Sequence, residues 1–205
     1  MLANGLNPIP PGKIAATVTF LDMEKRPTWL DEASVAPSLE LVPKAKIPLS
    51  DYRRLFQEIG ENWLWTSRLL MSDEELSKII HGPSTKIYLI ELDGEVAGLS
   101  ELKQVNPTTV EIAFFGLRPE FTGRKIGRDV MTLTLRIAWK ERTRTVCLQT
   151  CNFDHPAALG FYQKCGFQPV RFAIELMDDP RITGTLPKSA APHIPLLNND
   201  LTNPT

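Results

Sequence analysis

One stretch of the sequence, residues 108–128, combines a strand pattern, a glycine-containing turn and a helix start. Val110, Ile112 and Phe114 alternate with other residues, which is the period of two of a β-strand. Beyond Gly123, apolar residues recur at steps of four, three and four, the stripe of an amphipathic helix. Such a turn leaves several backbone N–H groups unpaired at the positive end of the helix dipole. The stretch therefore predicts an anion site suited to a phosphate or pyrophosphate.

Patterns for other common chemistries are missing from the sequence. It has no C-x-x-C pair, no G-x-S-x-G and no Walker A motif, and its three histidines are far apart. We therefore expect no metal site. Cys147 and Cys151 lie four residues apart in a predicted strand, about 13 Å by strand rise, which is too far for a disulfide. Reduced thiols and a cytoplasmic location are expected.

The composition is that of a globular protein without a general affinity for polyanions. The chain has 205 residues, 42% of them hydrophobic, and a formal net charge of −1. A charge this close to zero gives no overall attraction to nucleic acid or to an anionic membrane. No apolar run approaches the ~20 residues of a membrane helix, and the first residues lack the pattern of a signal peptide. We expect neither a nucleic acid nor a membrane as a partner.

The order of predicted elements is strand, helices, two strands, strand and helix, strand and helix, strand. This order is typical of an α/β (α+β) fold with a mixed sheet. Residues 1–37 are expected to form an N-terminal arm with one strand and a linker, and residues 38–178 the main domain. Residues 179–205 are rich in Pro, Asn and Thr, so a poorly ordered tail is expected there.

Two segments of the chain resemble the GNAT family of N-acetyltransferases. They are EIAFFGLRPEFTGRKIGRDVM and HPAALGFYQKCGF, and the likeness covers about residues 38–175. The resemblance implies a mixed central sheet flanked by helices, with two central parallel strands that splay apart. It also implies that residues 38–178 are an N-acetyltransferase domain with acetyl-CoA as co-substrate.

The first segment is similar to the Q/R-x-x-G-x-G/A signature that holds the pyrophosphate of acetyl-CoA. Thr122 replaces the usual Gln or Arg and Lys125 replaces the first glycine, whereas Gly127 is kept. Lys125 must keep its side chain away from the phosphates, and its charge can help to bind them. The resemblance implies that cofactor contacts come from Thr122, Gly123, Arg124, Lys125, Ile126, Gly127 and Arg128, and from the backbone of Phe115, Gly116 and Leu117.

The second segment is similar to the family pattern N-x-x-A-x-x-h-Y-x-x-x-G-F. His155 stands in the Asn position, and Ala158 and Tyr162 match, as do the final Gly and Phe. The resemblance implies that His155 and Ala158 border the cofactor. It also implies that Tyr162 is the general acid that reprotonates the departing CoA thiolate. The alternative is a core aromatic residue whose hydroxyl reaches solvent.

Amide formation from a thioester requires a neutral amine, but primary amines are mostly protonated at neutral pH. A carboxylate near the reacting centre is the natural base, directly or through water. Glu111 resembles the base of the family's histone-modifying members, and its alternative is an exposed strand residue. Glu101 on the preceding strand is a second candidate for this role.

The leading hypothesis is an acetyl-CoA-dependent N-acetyltransferase that acts by direct attack in a ternary complex. A small-molecule amine is favoured as acceptor over a protein or peptide amine. The alternative is a non-catalytic acyl-CoA-binding or regulatory module, because the altered signature could accompany lost catalysis. Nucleic-acid binding by the cluster at Arg124–Arg128 is unfavoured because the cluster is local and no aromatic run accompanies it. A homodimer is left open.

Overall fold

A computed structural model describes residues 4–140 and 142–197 of the chain. Over these residues seven strands form a single sheet. The strands are β1 (Lys13–Met23), β2 (Leu39–Pro43), β3 (Thr85–Leu92), β4 (Glu95–Asn106), β5 (Thr109–Leu117), β6 (Thr145–Cys151) and β7 (Gln168–Asp178). The helices are α1 (Trp29–Glu32), α2 (Leu49–Gly60), α3 (Asp73–Ile80), α4 (Gly127–Ala138) and α5 (Ala158–Cys165). The predicted α/β fold is confirmed, and none of these helices is long and apolar enough to cross a membrane.

The sheet is mixed, with strand order β2-β3-β4-β5-β6-β1-β7. Only β5 and β6 run parallel; every other neighbouring pair is antiparallel. The parallel pairing joins Thr109, Val110 and Glu111 to three residues of β6 and then stops. Both strands continue beyond this point without pairing to each other. The predicted splay of the two central parallel strands is therefore confirmed.

Two clusters of buried side chains cover the two faces of the sheet. On one face α4 packs against β5 and β6, and on the other α2 and α3 pack against β3 and β4. The first cluster includes Val110, Ile112, Met131, Leu135, Val146 and Leu148. The second includes Tyr52, Phe56, Leu76, Ile87 and Leu99. A capping box of Ser72 and Glu75 begins α3, and it stabilises the start of this helix in the second layer.

Strand β1 lies inside the sheet, between β6 and β7. The sequence prediction assigned it to an arm at residues 1–37, outside the main domain, and the structure corrects this. Leu21 and Ala16 are both fully buried, in clusters on opposite faces of the sheet. A strand that buries both faces belongs to the core.

Residues 179–197 pack against the sheet, contrary to the poorly ordered tail expected from residue 179 onward. Leu186, Ala190 and Ala191 are buried in a cluster with β1 residues. Arg181 is buried, and its guanidinium donates hydrogen bonds to Asp179 and to backbone carbonyls of residues 190, 191, 194 and 195. The segment is held by one buried polar centre rather than by a periodic apolar stripe, so its sequence carries no regular pattern. The rest of the expected tail, residues 198–205, lies outside the described residues.

Candidate active site

The splay leaves one edge of β5 without a neighbouring strand. Beyond Glu111, β5 pairs with β4 alone, as in the pairs Phe115 with Ser100 and Leu117 with Gly98. Backbone groups on the side of β6 therefore have no strand to pair with. The predicted cofactor contacts Phe115, Gly116 and Leu117 all lie on this part of β5. An extended ligand arm could hydrogen-bond there as an added strand does.

The loop before α4 presents a row of unpaired backbone donors. The first helical hydrogen bond of α4 runs from the Val130 N–H to the Ile126 carbonyl. Among the described residues, the N–H groups of residues 125–129 donate no hydrogen bond to the protein. The chain turns through left-handed conformations at Gly123 (φ 82°) and Lys125 (φ 64°) to reach the helix. The predicted anion site has the free donors that a pyrophosphate requires.

Three exposed cations surround this loop, as the sequence predicts. The Arg124 guanidinium stacks on the Phe121 ring, with 4.5 Å from Cζ to the ring centroid. The Arg128 guanidinium lies 4.2 Å from the Trp29 centroid. Both side chains are restrained by aromatic contacts, whereas Lys125 is exposed and has no ion pair with another described residue. The charges add a favourable field for an anion at the helix start.

Tyr162 lies on α5 among aromatic rings. It is half-buried and packs edge-on against Phe115, Phe161 and Phe167, with centroid distances of 6.4, 5.5 and 6.2 Å. Burial raises the pKa of Tyr162 above its usual range, and the charge of Asp154 adds to the effect. Its hydroxyl forms no hydrogen bond to another described residue. The side chain is a neutral phenol with a free donor, which a general acid must be.

Asp154 holds a fixed carboxylate at the end of β6, and sequence reasoning missed it. One oxygen, Oδ2, accepts hydrogen bonds from the Thr150 hydroxyl at 2.7 Å and the Cys151 N–H at 2.9 Å. The other, Oδ1, accepts from the indole N–H of Trp65 at 3.1 Å. Asp154 lies just before the second motif, in a position for which the sequence shows no pattern. Only the structure brings it to Trp65 from a distant part of the chain.

Trp65 connects the two strands where they separate. Its ring packs against Phe56 and Phe114 at centroid distances of 5.5 and 5.3 Å. A Cβ added to Gly116 would lie 3.1 Å from the Trp65 ring and 2.5 Å from Ile59. The glycine therefore permits a close approach that a side chain would prevent. Through Asp154, the same tryptophan is bonded to the end of β6.

Glu111 and Glu101 have different environments. Glu111 is half-buried at the last parallel pair, 3.9 Å from the Lys103 ammonium. It borders a cavity of about 240 Å³ whose other polar lining residues are Asp22, Cys147, Gln149 and Arg171. Glu101 is fully buried, forms an ion pair with Arg68 at 2.6 Å and accepts a hydrogen bond from Tyr52. A carboxylate committed in this way is poorly placed to accept a proton, so Glu111 is the better candidate.

His155 and Ala158 mark the start of α5. The Nδ1 atom of His155 accepts a hydrogen bond from the Ala157 N–H at 3.1 Å. The imidazole is exposed and meets the Trp63 ring edge-on at 5.4 Å. Ala158 is the first residue of the helix. These contacts give His155 a role in organising the helix start, and its predicted contact with the cofactor stays a prediction.

The three cysteines are free thiols within the fold. Burial raises the pKa of Cys147 to about 11, with further contributions from the carboxylates Glu111 and Asp22. Burial also raises the pKa of Cys151 and of Cys165 to about 11. All three thiols are therefore protonated at neutral pH. A protonated thiol that is buried or partly buried is a weak nucleophile.

Comparison with known families agrees with this arrangement. The family model described as "Acetyltransferase (GNAT) family" matches residues 51–167. This is more than half of the chain, and the protein belongs to the GNAT acetyltransferase family. The match contains the splay, the loop before α4 and α5. No curated protein sequence matches the chain.

Solved structures share the fold at low sequence identity. A protein of unknown function from Staphylococcus epidermidis has a TM-score of 0.61 and 16% identity, over 82% of this chain and 64% of its own. A GNAT acetyltransferase from Elizabethkingia anophelis with acetyl-CoA bound has a TM-score of 0.52 and 17% identity, over 70% of this chain and 99% of its own. An aminoglycoside acetyltransferase from an uncultured soil metagenomic sample, in complex with sisomicin, has a TM-score of 0.52 and 16% identity. The match covers 66% of this chain and 95% of its own. The chain thus spans less than two thirds of the first of these proteins.

Proposed function

We propose that the protein is an acetyl-CoA-dependent N-acetyltransferase that transfers the acetyl group directly to a primary amine in a ternary complex. The observation that carries the proposal is the row of unpaired N–H groups at the start of α4, beside the unpaired edge of β5. The first suits a pyrophosphate and the second an extended pantetheine arm. Family membership and the fold shared with an acetyl-CoA-bound structure support the same cofactor.

The chemical step in this proposal joins the amine nitrogen to the thioester carbonyl carbon and breaks the carbon–sulfur bond. The electron pair of that bond goes to sulfur, and the Tyr162 hydroxyl delivers a proton to it. Glu111 takes the proton that the amine loses, through water. Backbone N–H groups on the free edge of β5 stabilise the oxyanion. Direct attack is supported because burial raises the pKa of all three thiols to about 11, which disfavours the thiolate that an acetyl-cysteine intermediate requires.

The proposed acceptor is a small-molecule amine, with a protein or peptide amine second. The likeness to the sisomicin-bound aminoglycoside acetyltransferase supports this order. Trp65 packs on the face of the sheet opposite α4, and its hydrogen bond to Asp154 brings both residues to the splay, where they would border the acceptor. Pockets for small molecules are commonly lined by aromatic side chains with a few polar groups.

A second candidate function is a non-catalytic acyl-CoA-binding module. It is favoured by Lys125, which occupies a left-handed conformation in the position of the family's first glycine. A thiol-release assay with acetyl-CoA and a panel of amines and amino acids tests the proposal. Amine-dependent CoA release supports the enzyme. Binding of CoA by calorimetry, without release for any amine, would favour the module.

A further inference from the structure

Strand β7 ends the sheet and has an open edge. Ten of its eleven residues pair with β1, all but Val170, and over the described residues no strand lies on its other side. Proteins usually protect such edges with proline, charges or bulges, because free N–H and C=O groups recruit another strand. Here Pro169 and the irregularity at Val170 protect one end alone. The stretch from Arg171 onward remains regular.

One face of this edge strand is apolar and exposed. Phe172, Ile174 and Leu176 are 68, 49 and 51% exposed. Because they alternate along the regular part of the strand, their side chains point to the same side of the sheet. Single exposed apolar residues are ordinary, but three neighbours in a row form a patch that marks an interaction surface.

We propose that the protein forms a symmetric homodimer in which two copies of β7 pair antiparallel about a two-fold axis at Ala173. Such pairing must be centred on a residue, so that side chains of the same face meet. A centre at Ala173 places Arg171 opposite Glu175 of the second copy. It also places Phe172 opposite Ile174. One face of the strand then pairs charges, and the other pairs apolar side chains.

The charges select this centre over its neighbours. Arg171 and Glu175 are the charged residues of the stretch 168–177. A centre at Phe172 would place Arg171 opposite Ala173, and a centre at Ile174 would place it opposite Met177. Neither alternative pairs the charges. Opposite charges and aromatic–β-branched pairs that face each other across two strands are favourable, and like charges there are unfavourable.

Within one copy these two charges have no ionic partner among the described residues. The Arg171 guanidinium instead lies over the Phe20 ring, with 3.5 Å from Cζ to the centroid. Glu175 is exposed. Ala173, on the proposed axis, is small enough to face its own copy closely. The surface is therefore complementary to itself, which is the requirement of a two-fold interface and the reason to choose a second copy as the partner.

Light scattering and sedimentation equilibrium of the full chain test the proposal, with no need for acetyl-CoA. The wild-type chain should be dimeric at micromolar concentration. Arg171→Glu and Glu175→Arg should each raise the dimer Kd by at least about tenfold, since each places like charges opposite each other twice. The double variant, or a mixture of the two single variants, should restore the dimer. Circular dichroism and the Tm verify that each variant is folded.

A cysteine on the axis tests the centre itself. Ala173→Cys should form a disulfide between copies under mild oxidation, because residue 173 faces itself across the axis. Ile174→Cys is the matched control and should crosslink far less. The wild-type chain, oxidised in the same way, is the control for disulfides that its three native cysteines form. A monomer at all concentrations, or a dimer that neither charge reversal weakens, would overturn the proposal. Crosslinking through Ile174→Cys alone would overturn the centre at Ala173.

Discussion

Tyr162 offers a free hydroxyl on a ring that is already fixed by its neighbours. The three aromatic contacts involve the ring, and no described residue accepts from its hydroxyl. Tyr162→Phe should therefore preserve packing and CoA affinity, while kcat falls by roughly 10²-fold, the size of a lost general acid. Steady-state kinetics at saturating acetyl-CoA measure this. An unchanged kcat would remove Tyr162 from the mechanism and leave protonation of the thiolate to water.

Lys125 is one of four non-glycine residues in the described part of the chain whose φ is positive, with Leu64, Asp93 and Ala191. A non-glycine residue at φ 64° pays a conformational cost of about 1–2 kcal/mol. Lys125→Gly should relieve it and raise the free energy of unfolding by roughly 0.5–1 kcal/mol, after the higher entropy of the unfolded chain is subtracted. Lys125→Ala is the control, because it removes the same charge but keeps the Cβ and the strain. Urea denaturation compares the two, and equal stabilities would contradict the strain argument.

Individual site residues could be predicted from the sequence where they belong to a regular pattern. The loop at residues 122–127 follows an alternating strand and begins a helix, so its free donors follow from the order of elements. Asp154 and Trp65 could not be found in this way, because their hydrogen bond joins segments 89 residues apart. In the sequence, Glu101 is a second candidate for the base after Glu111, and no pattern shows that it is buried in an ion pair. Their difference arises from Arg68, whose position depends on an irregular segment between α2 and α3.

At the splay, Trp65 in the segment after α2 contacts both central strands: it packs on β5 and is hydrogen-bonded to Asp154 after β6. Gly116→Ala would place a methyl group 2.5 Å from Ile59 and 3.1 Å from Trp65. Because Ile59 is buried and the Trp65 ring is packed against Phe56 and Phe114, both must shift to admit the methyl group, and we expect a loss of about 1–3 kcal/mol in the free energy of unfolding. Tryptophan fluorescence should also change as the Trp65 ring moves.

The matched control for this substitution is Gly160→Ala in α5. A Cβ at Gly160 meets no atom within 4 Å, and alanine is the better helix former by about 1 kcal/mol. Gly160→Ala should therefore be neutral or stabilising. If the two alanine variants had the same stability, the close approach at Gly116 would not constrain the strand.

The architecture of the whole molecule was predictable where elements follow each other in the chain. The hairpin of β3 and β4 and the parallel pair β5 and β6 each join neighbouring segments. The place of β1 between β6 and β7 is a long-range pairing, and the sequence of β1 shows only that it is a strand. Residues 179–197 escaped prediction for another reason. Their order depends on the buried Arg181, and a single buried ion pair leaves no periodic signal.

The buried pair Asp179–Arg181 should make the stability of the whole fold sensitive to acid. Its atoms Oδ2 and Nη2 are 2.8 Å apart, with side-chain exposures of 2 and 1%. Burial raises the pKa of Asp179, but the hydrogen bonds and charge of Arg181 outweigh this and leave it below its usual value. The carboxylate therefore contributes stability above its unfolded pKa of about 3.9. That contribution is lost as the pH falls through the lower pKa of the folded state.

Asp179→Asn should lower the free energy of unfolding at pH 7 by about 3–5 kcal/mol, because it leaves the Arg181 charge buried without its partner. The difference in the free energy of unfolding between the variant and the wild type should narrow as the pH falls below about 3.9. There Asp179 gains its proton in the unfolded wild-type chain. Urea denaturation at several pH values measures both effects. The double variant Asp179→Asn, Arg181→Met removes both charges and should recover much of the loss at pH 7. A single variant as stable as the wild type at pH 7 would show that the segment 179–197 is held by its apolar contacts with β1 instead.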